Sequence, residues 1–250
     1  MAKPEEKELE HKKAVLSELK DSLANRELEL ATLKAELLSF QHIYFEAVGK
    51  LIAELDELEA QIAEAKAKKT PKAKTSAQSA SSTRARATES ARAFKEESEI
   101  PLPKRKFIPT DELKKMFRAV AKKIHPDLAS DEKDRAIREE LMKRVNKAYQ
   151  EGDYEKLQSI LDEYEARPEI IEGNSIGAEL IRVIRDIDSI DKRINSIANE
   201  IDEIMKSELS LLKKKLDDAK MENRDFLTEM AEYLCLKIQS AKIELQEITK

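Results

Sequence analysis

The consecutive residues His125, Pro126 and Asp127 place an imidazole and a carboxylate on either side of a rigid backbone unit. Two kinds of chemistry fit such a tripeptide. One is local: the proline ends a helix, and its neighbours cap and hydrogen-bond the turn. The other is contact with a partner. Catalysis by the chain itself is not expected. A Ser-His-Asp triad needs an exposed serine in a shaped pocket, and this sequence describes rods. The four glycines, Gly49, Gly152, Gly173 and Gly177, are scattered, so no phosphate-cradling loop forms. No Cys/His group has metal-ligand spacing. His11 and His42 read as surface or seam residues of a helix. No catalytic, cofactor-binding or metal-ligating residue is assigned.

The elements that must position the tripeptide are two amphipathic helices. Leu113, Met116, Phe117, Val120, Ala121 and Ile124 recur at i, i+3, i+4 and i+7, the spacing of one apolar stripe. Lys114, Lys115, Arg118 and Lys122 fall on the opposite side. Lys123 lies nearer the edge of the stripe. Pro126 stops this helix. A second run follows, with Ile137, Leu141, Val145 and Ala148 on one face, Tyr149 at its margin and Ser130 as the cap.

A basic amphipathic helix, His125-Pro126-Asp127, a loop, and a helix closing with Val145-Asn146-Lys147-Ala148-Tyr149 together resemble the J-domain of the DnaJ co-chaperone family. The likeness runs from Leu113 to Asp127 and resumes from Met142 to Tyr149. The sequence departs from the family upstream, where Pro101, Pro103 and Pro109 occupy the place of a first helix. The resemblance implies docking on the ATPase domain of a DnaK-type heat-shock chaperone, which promotes ATP hydrolysis and closure on a client polypeptide. By position His125, Pro126 and Asp127 would be the triggering contact. Lys114, Lys115, Arg118 and Lys122 would steer the module to an acidic groove. A residue used only for docking predicts that His125→Gln leaves melting nearly intact.

Composition sets the frame for this module. Charged residues make up 39% of the 250 and aromatics 4%, with no tryptophan. Such a chain favours long helices over a broad core, so the fold class is all-α, long coiled-coil helices flanking a small helical module. The net charge of −5 gives no overall pull towards nucleic acid. The single cysteine, Cys235, suits a reducing compartment. No apolar run reaches membrane-span length and no signal-peptide core is visible, so the expected location is cytoplasmic.

Residues 5–67 read as an N-terminal coiled coil. Leu9, Leu16, Leu23, Leu30, Leu37, Tyr44, Leu51 and Leu58 recur at sevens, with a companion seam of Leu19, Leu33, Phe40 and Ala47 that moves to Leu55 and Ile62. Lys12 and Arg26 interrupt the companion seam, and its shift near Val48-Gly49 predicts a change of register or a kink. Residues 68–109 read as a disordered basic, proline-containing linker, since Lys66 to Lys95 holds nine Lys/Arg against one Glu. A weak tether to nucleic acid or an anionic surface is its functional reading; a solubilising spacer is favoured, because Phe94 is the lone aromatic from Lys66 to Lys95. The His-Pro-Asp module spans 110–166. Its last part is a short helix with Tyr154, Leu157, Leu161 and Tyr164, expected to replace part of the missing first helix.

Residues 175–250 form the C-terminal coiled coil. Val183, Ile187, Ile190, Ile194, Ile197, Ile201 and Ile204 alternate steps of four and three, and Leu227 to Ile248 resume the pattern. A turn near Met221-Glu222-Asn223-Arg224 would make a hairpin. The seams must be covered, either by each other or by a second copy in a homo-oligomer. The leading functional expectation is a J-domain co-chaperone. The alternatives are a structural coiled-coil adaptor with a degenerate module, and a binder acting through the basic linker.

Overall fold

The structure, a computed structural model, describes residues 4–69, 74–99, 107–166 and 176–250. The fold is all-α, and no strand occurs among the described residues. The helices are α1 (Pro4–Tyr44), α2 (Lys50–Lys69), α3 (Lys74–Glu99), α4 (Asp111–Ile124), α5 (Glu132–Glu151), α6 (Tyr154–Glu165), α7 (Ile176–Lys206), α8 (Glu208–Met221) and α9 (Phe226–Thr249). They form two compact units: Met1–Glu36 with Arg105–Ser207, and Leu37–Lys104 with Glu208–Lys250. No helix among the described residues is long and apolar enough to cross a membrane.

In the first unit, the leucines repeating at sevens on α1 meet the seam of α7. Leu9, Leu16, Leu23 and Leu30 cluster with Val183, Ile190, Ile197 and Ile201. Flanking ion pairs give the direction. Lys13 pairs with Glu179, Glu27 with Arg193 and Lys34 with Glu200, at a constant separation of 166 residues. Both numbers rise together by whole heptads, so α1 and α7 run parallel in a fixed coiled-coil register. The two seams therefore cover each other within one chain. Arg26, which interrupts the companion seam of α1, turns outward to Glu29 at 2.8 Å.

A second core lies between α4, α5 and α6. Phe117, Val120, Ile124, Val145, Tyr149 and Leu157 are fully buried there. Leu157, Ile160 and Leu161 bring α6 onto the α4–α5 pair. Ala24, Leu28 and Ala31 of α1 join the same core from outside the module. Tyr149, read from sequence as marginal, is at its centre. Its ring stands 4.8 Å from that of Phe117 and 5.5 Å from that of Phe107, and its hydroxyl shares a 2.8 Å hydrogen bond with Thr32 Oγ1. Ile137, assigned to the apolar face, is exposed instead. The cap of α5 is Asp131 rather than Ser130: its carboxylate accepts from Asp134 N at 2.8 Å. Gly152 ends α5 in the left-handed region at φ 71°, and Asp153 caps α6.

In the second unit, a π-helical turn, Phe45–Gly49, separates α1 from α2 where the companion seam shifts. One extra residue in that turn rotates the apolar face, so the leucine repeat gives way to Val48, Ala60 and Ile62 as the buried residues. The disordered linker expected over 68–109 is corrected by α3, which is helical from Lys74 to Glu99. Residues 70–73 and 100–106 lie outside the described residues, as do the breaks expected at Arg167-Pro168 and Gly173-Asn174-Ser175.

Three features make α3 a helix. It is rich in alanine, the strongest helix former. Its Ser82, Thr83 and Thr88 hydroxyls, which donate to carbonyls one turn back, are tolerated rather than a cause of the helix. Its small residues also carry a heptad seam. Ala87 is buried and Ala80, Thr83, Ser90 and Phe94 are half-buried, in steps of three and four. Its basic residues are neutralised by α2, since Arg84 pairs with Glu57 and Glu64, and Arg86 with Asp56 and Glu59. The turn expected near Met221 to Arg224 is present. Asn223 takes φ 57°, and Asp225 caps α9 by accepting from Thr228 N. Leu234, Ile238 and Ala241 are the buried residues of α9.

Candidate functional site

The tripeptide lies where sequence placed it, at the end of α4. Thr110 caps the start of that helix, accepting from Leu113 N at 3.2 Å, and the apolar stripe turns Leu113, Phe117, Val120 and Ile124 inward. Helical geometry stops at His125, whose ψ is 135°. Pro126–Leu128 then form a single 3-10 turn before α5 begins.

His125 is only 3% exposed. Its Nδ1 accepts a hydrogen bond from Asp127 N at 3.1 Å. That bond assigns the ring proton to Nε2, which donates to Glu27 Oε1 of α1 at 3.0 Å. Glu27, itself buried, also accepts from Arg193 Nε of α7 at 2.9 Å, and Arg193 Nη1 reaches Glu200 Oε1 at 2.7 Å. Burial pushes the Glu27 carboxyl up. The hydrogen bond from His125 and the charge of Arg193 outweigh it, and the group sits below the ordinary glutamate range. Asp127 keeps its carboxylate 3.8 Å from His125 Nδ1, and Leu128 packs against the α1–α7 seam.

The basic face of α4 is partly occupied. Lys122 Nζ lies 2.5 Å from Asp21 Oδ1 of α1, and Arg118 Nη1 donates to Asn25 Oδ1 at 3.5 Å. Lys114 reaches Asp111 in its own first turn at 3.8 Å. Lys115 is exposed. Lys123, the edge residue, pairs with Glu165 of α6. The structure thus brings His125, Arg118 and Lys122 together along one α1 surface and leaves Lys114 and Lys115 apart from it.

Two sets of residues escaped the sequence reading. Arg138 of α5 is buried and holds the far end of α4. Its Nη1 donates to Lys123 O at 2.9 Å and sits 3.5 Å from His125 O, its Nε donates to Asp134 Oδ2 at 2.8 Å, and its guanidinium lies over the Tyr164 ring. It gives Lys123 O, in the last turn of α4, a donor from outside the helix, while His125 O also accepts from Leu128 N at 3.0 Å. The only sequence signal was the i,i+4 spacing of Asp134 and Arg138 on a helix. Asp21, Asn25 and Glu27 carried no signal, because on a coiled-coil rod a polar residue reads as a solvated face.

What the arrangement can do chemically is recognise carboxylates. The imidazole N–H of His125, the guanidinium of Arg118 and the ammonium of Lys122 are directed at α1, which supplies two carboxylates and an amide to them. No group of His, Cys, Asp and Glu among the described residues is arranged to hold a metal ion. No family model matches the chain, and no curated protein or solved structure does either.

Proposed function

We propose that the chain is a J-domain-type co-chaperone that stimulates ATP hydrolysis by a DnaK-type heat-shock chaperone, with its coiled coils as scaffold and as arms for client polypeptides. One observation carries the reading. The α4–α5 pair is a helical hairpin with His125-Pro126-Asp127 at its turn and Lys114, Lys115, Arg118 and Lys122 directed away from its core. α6, with Ala24, Leu28 and Ala31 of α1, packs on that pair, which supports a module built without a standard first helix.

A second reading rests on a specific observation of its own. The burial of His125 and its bond to Glu27 favour an adaptor in which the tripeptide only fastens the module to the rods. Steady-state ATPase measurements with a DnaK-type chaperone separate the two. The co-chaperone reading expects stimulation by the wild-type chain and none by His125→Gln, with helicity retained by circular dichroism. Because that imidazole is buried between two partners, the variant is expected to melt lower as well, by about 1–3 kcal/mol of stability. Equal stimulation by wild type and His125→Gln overturns the role given to the tripeptide, and stimulation absent from every form of the chain favours the adaptor.

A further inference from the structure

Three of the residues that the co-chaperone reading needs free, His125, Arg118 and Lys122, are engaged by α1. Asp21, Asn25 and Glu27 meet Lys122, Arg118 and His125 in turn. Beside them Ala24, Leu28 and Ala31 are buried in the core of the module. An acidic helix face with small apolar residues is therefore already seated on the surface. We propose that α1 is a built-in occupant of the docking surface, and that the partner's acidic face binds there only when α1 has moved off it. This rests on the co-chaperone reading and adds its regulation.

The packing is divided in a way that permits such release. The α4–α5–α6 core is formed by the module's own Leu113, Phe117, Val120, Ile124, Val145 and Tyr149. The α1–α7 seam is formed by Leu9, Leu16, Leu23 and Leu30 with their isoleucine and valine partners. Between the two lie the polar contacts of Asp21, Asn25 and Glu27, the Thr32–Tyr149 hydrogen bond, and four apolar residues, Ala24, Leu28, Ala31 and Leu128. Lifting the module from α1 breaks this layer, taking Ala24, Leu28 and Ala31 out of the module's core and Leu128 off the seam, while the module's own residues and the leucine–isoleucine seam keep each other's contacts. The polar contacts that hold the layer are the ones a carboxylate-bearing partner would replace, since such a partner offers the same acceptors to Arg118, Lys122 and His125. A competing segment lowers apparent affinity by the fraction of molecules in which it is released.

The test uses the full chain with two readouts: stimulation of a DnaK-type ATPase, and carbethoxylation of His125 by diethyl pyrocarbonate, read by mass spectrometry. Three variants are compared with wild type. Asp21→Asn with Glu27→Gln weakens the occupant while keeping its shape. Asn25→Glu is a fully exposed change that sets a carboxylate against Arg118 and strengthens it. His125→Gln in the weakened background removes the trigger. The weakened occupant is expected to raise His125 modification and ATPase stimulation at subsaturating chain by about tenfold, the effect of a tenfold larger released fraction. Asn25→Glu should lower both several-fold, and the added His125→Gln should abolish stimulation. If wild type and both occupant variants stimulate equally, the occupant idea falls and the co-chaperone reading stands. If no form stimulates even though His125 becomes reactive, both fall. Asn25→Glu keeps the test decisive should the weakened variant prove unstable.

Discussion

Glu27 and Lys20 stand one heptad apart on α1, and each faces a charged residue of α7 in the same register. Their environments sort them in opposite ways. For Glu27 the bonds from His125 and Arg193 outweigh burial, and the carboxyl is held low. For Lys20 burial dominates and lowers the ammonium despite Asp186, whose own carboxyl burial pushes up despite Lys20. The pH dependence follows with opposite signs. A carboxyl lowered in the folded state adds stability above its unfolded value and loses it as the pH falls through the folded one. A raised carboxyl such as Asp186 adds stability at acid pH and loses it as the pH rises through its folded value. Thermal melts from neutral to acid pH are therefore expected to show a loss of stability beginning near the ordinary glutamate range. In Glu27→Gln that acid-side loss should shrink relative to wild type, because the titrating group is gone. A Glu27→Gln profile that keeps the wild-type acid slope would mean that other carboxylates carry the effect.

Among the elements, α3 and the π-helical turn depend on each other. A Cβ on Gly49 would stand 2.9 Å from Phe45 Cδ1 and 3.2 Å from Phe94 Cδ2. The glycine thus lets Phe94 of α3 lie close over the turn. Gly49→Ala is expected to push both rings aside and lower stability by about 1–3 kcal/mol, the usual cost of overpacking. Denaturant melts followed by circular dichroism would measure it. The same substitution should speed tryptic cleavage after Arg84 and Arg86, whose side chains are engaged by α2 carboxylates in the folded pair. Unchanged melting and unchanged cleavage would show that α3 does not rely on this contact.

For the molecule as a whole, the fixed separation of the ion pairs between α1 and α7 makes a statement about assembly. The seam that sequence alone left open to a second copy is filled by α7 of the same chain. A zero-length carbodiimide cross-linker should join Lys13 to Glu179 and Lys34 to Glu200. In a mixture of isotopically light and heavy protein at micromolar concentration, these products are expected to be purely light or purely heavy. Mixed-label peptides would show that the same register forms between chains, as it would in a homo-oligomer.

The all-α class, the seams at Leu9 to Leu30 and Val183 to Ile204, the register change near Gly49 and the turn at Asn223 were legible in the sequence, because each is a local pattern with a helical period or a local break in one. The amphipathicity of 113–124 and the stop at Pro126 were legible for the same reason. The seam of α3 was missed because its positions are filled by Ala, Thr and Ser. These bury too little to register as hydrophobic, although they pack well against a close neighbouring helix. Sequence could not place Glu27 beside His125, or Asp21 beside Lys122. Those pairs join residues 98 and 101 positions apart. They exist only because the α1–α7 register fixes which face of α1 is left over to meet the module. The types and spacing of the residues determined the helices with a clear apolar period and set a basic face on α4 beside the tripeptide. Tertiary structure alone decided that the first carboxylates to reach that surface are the chain's own.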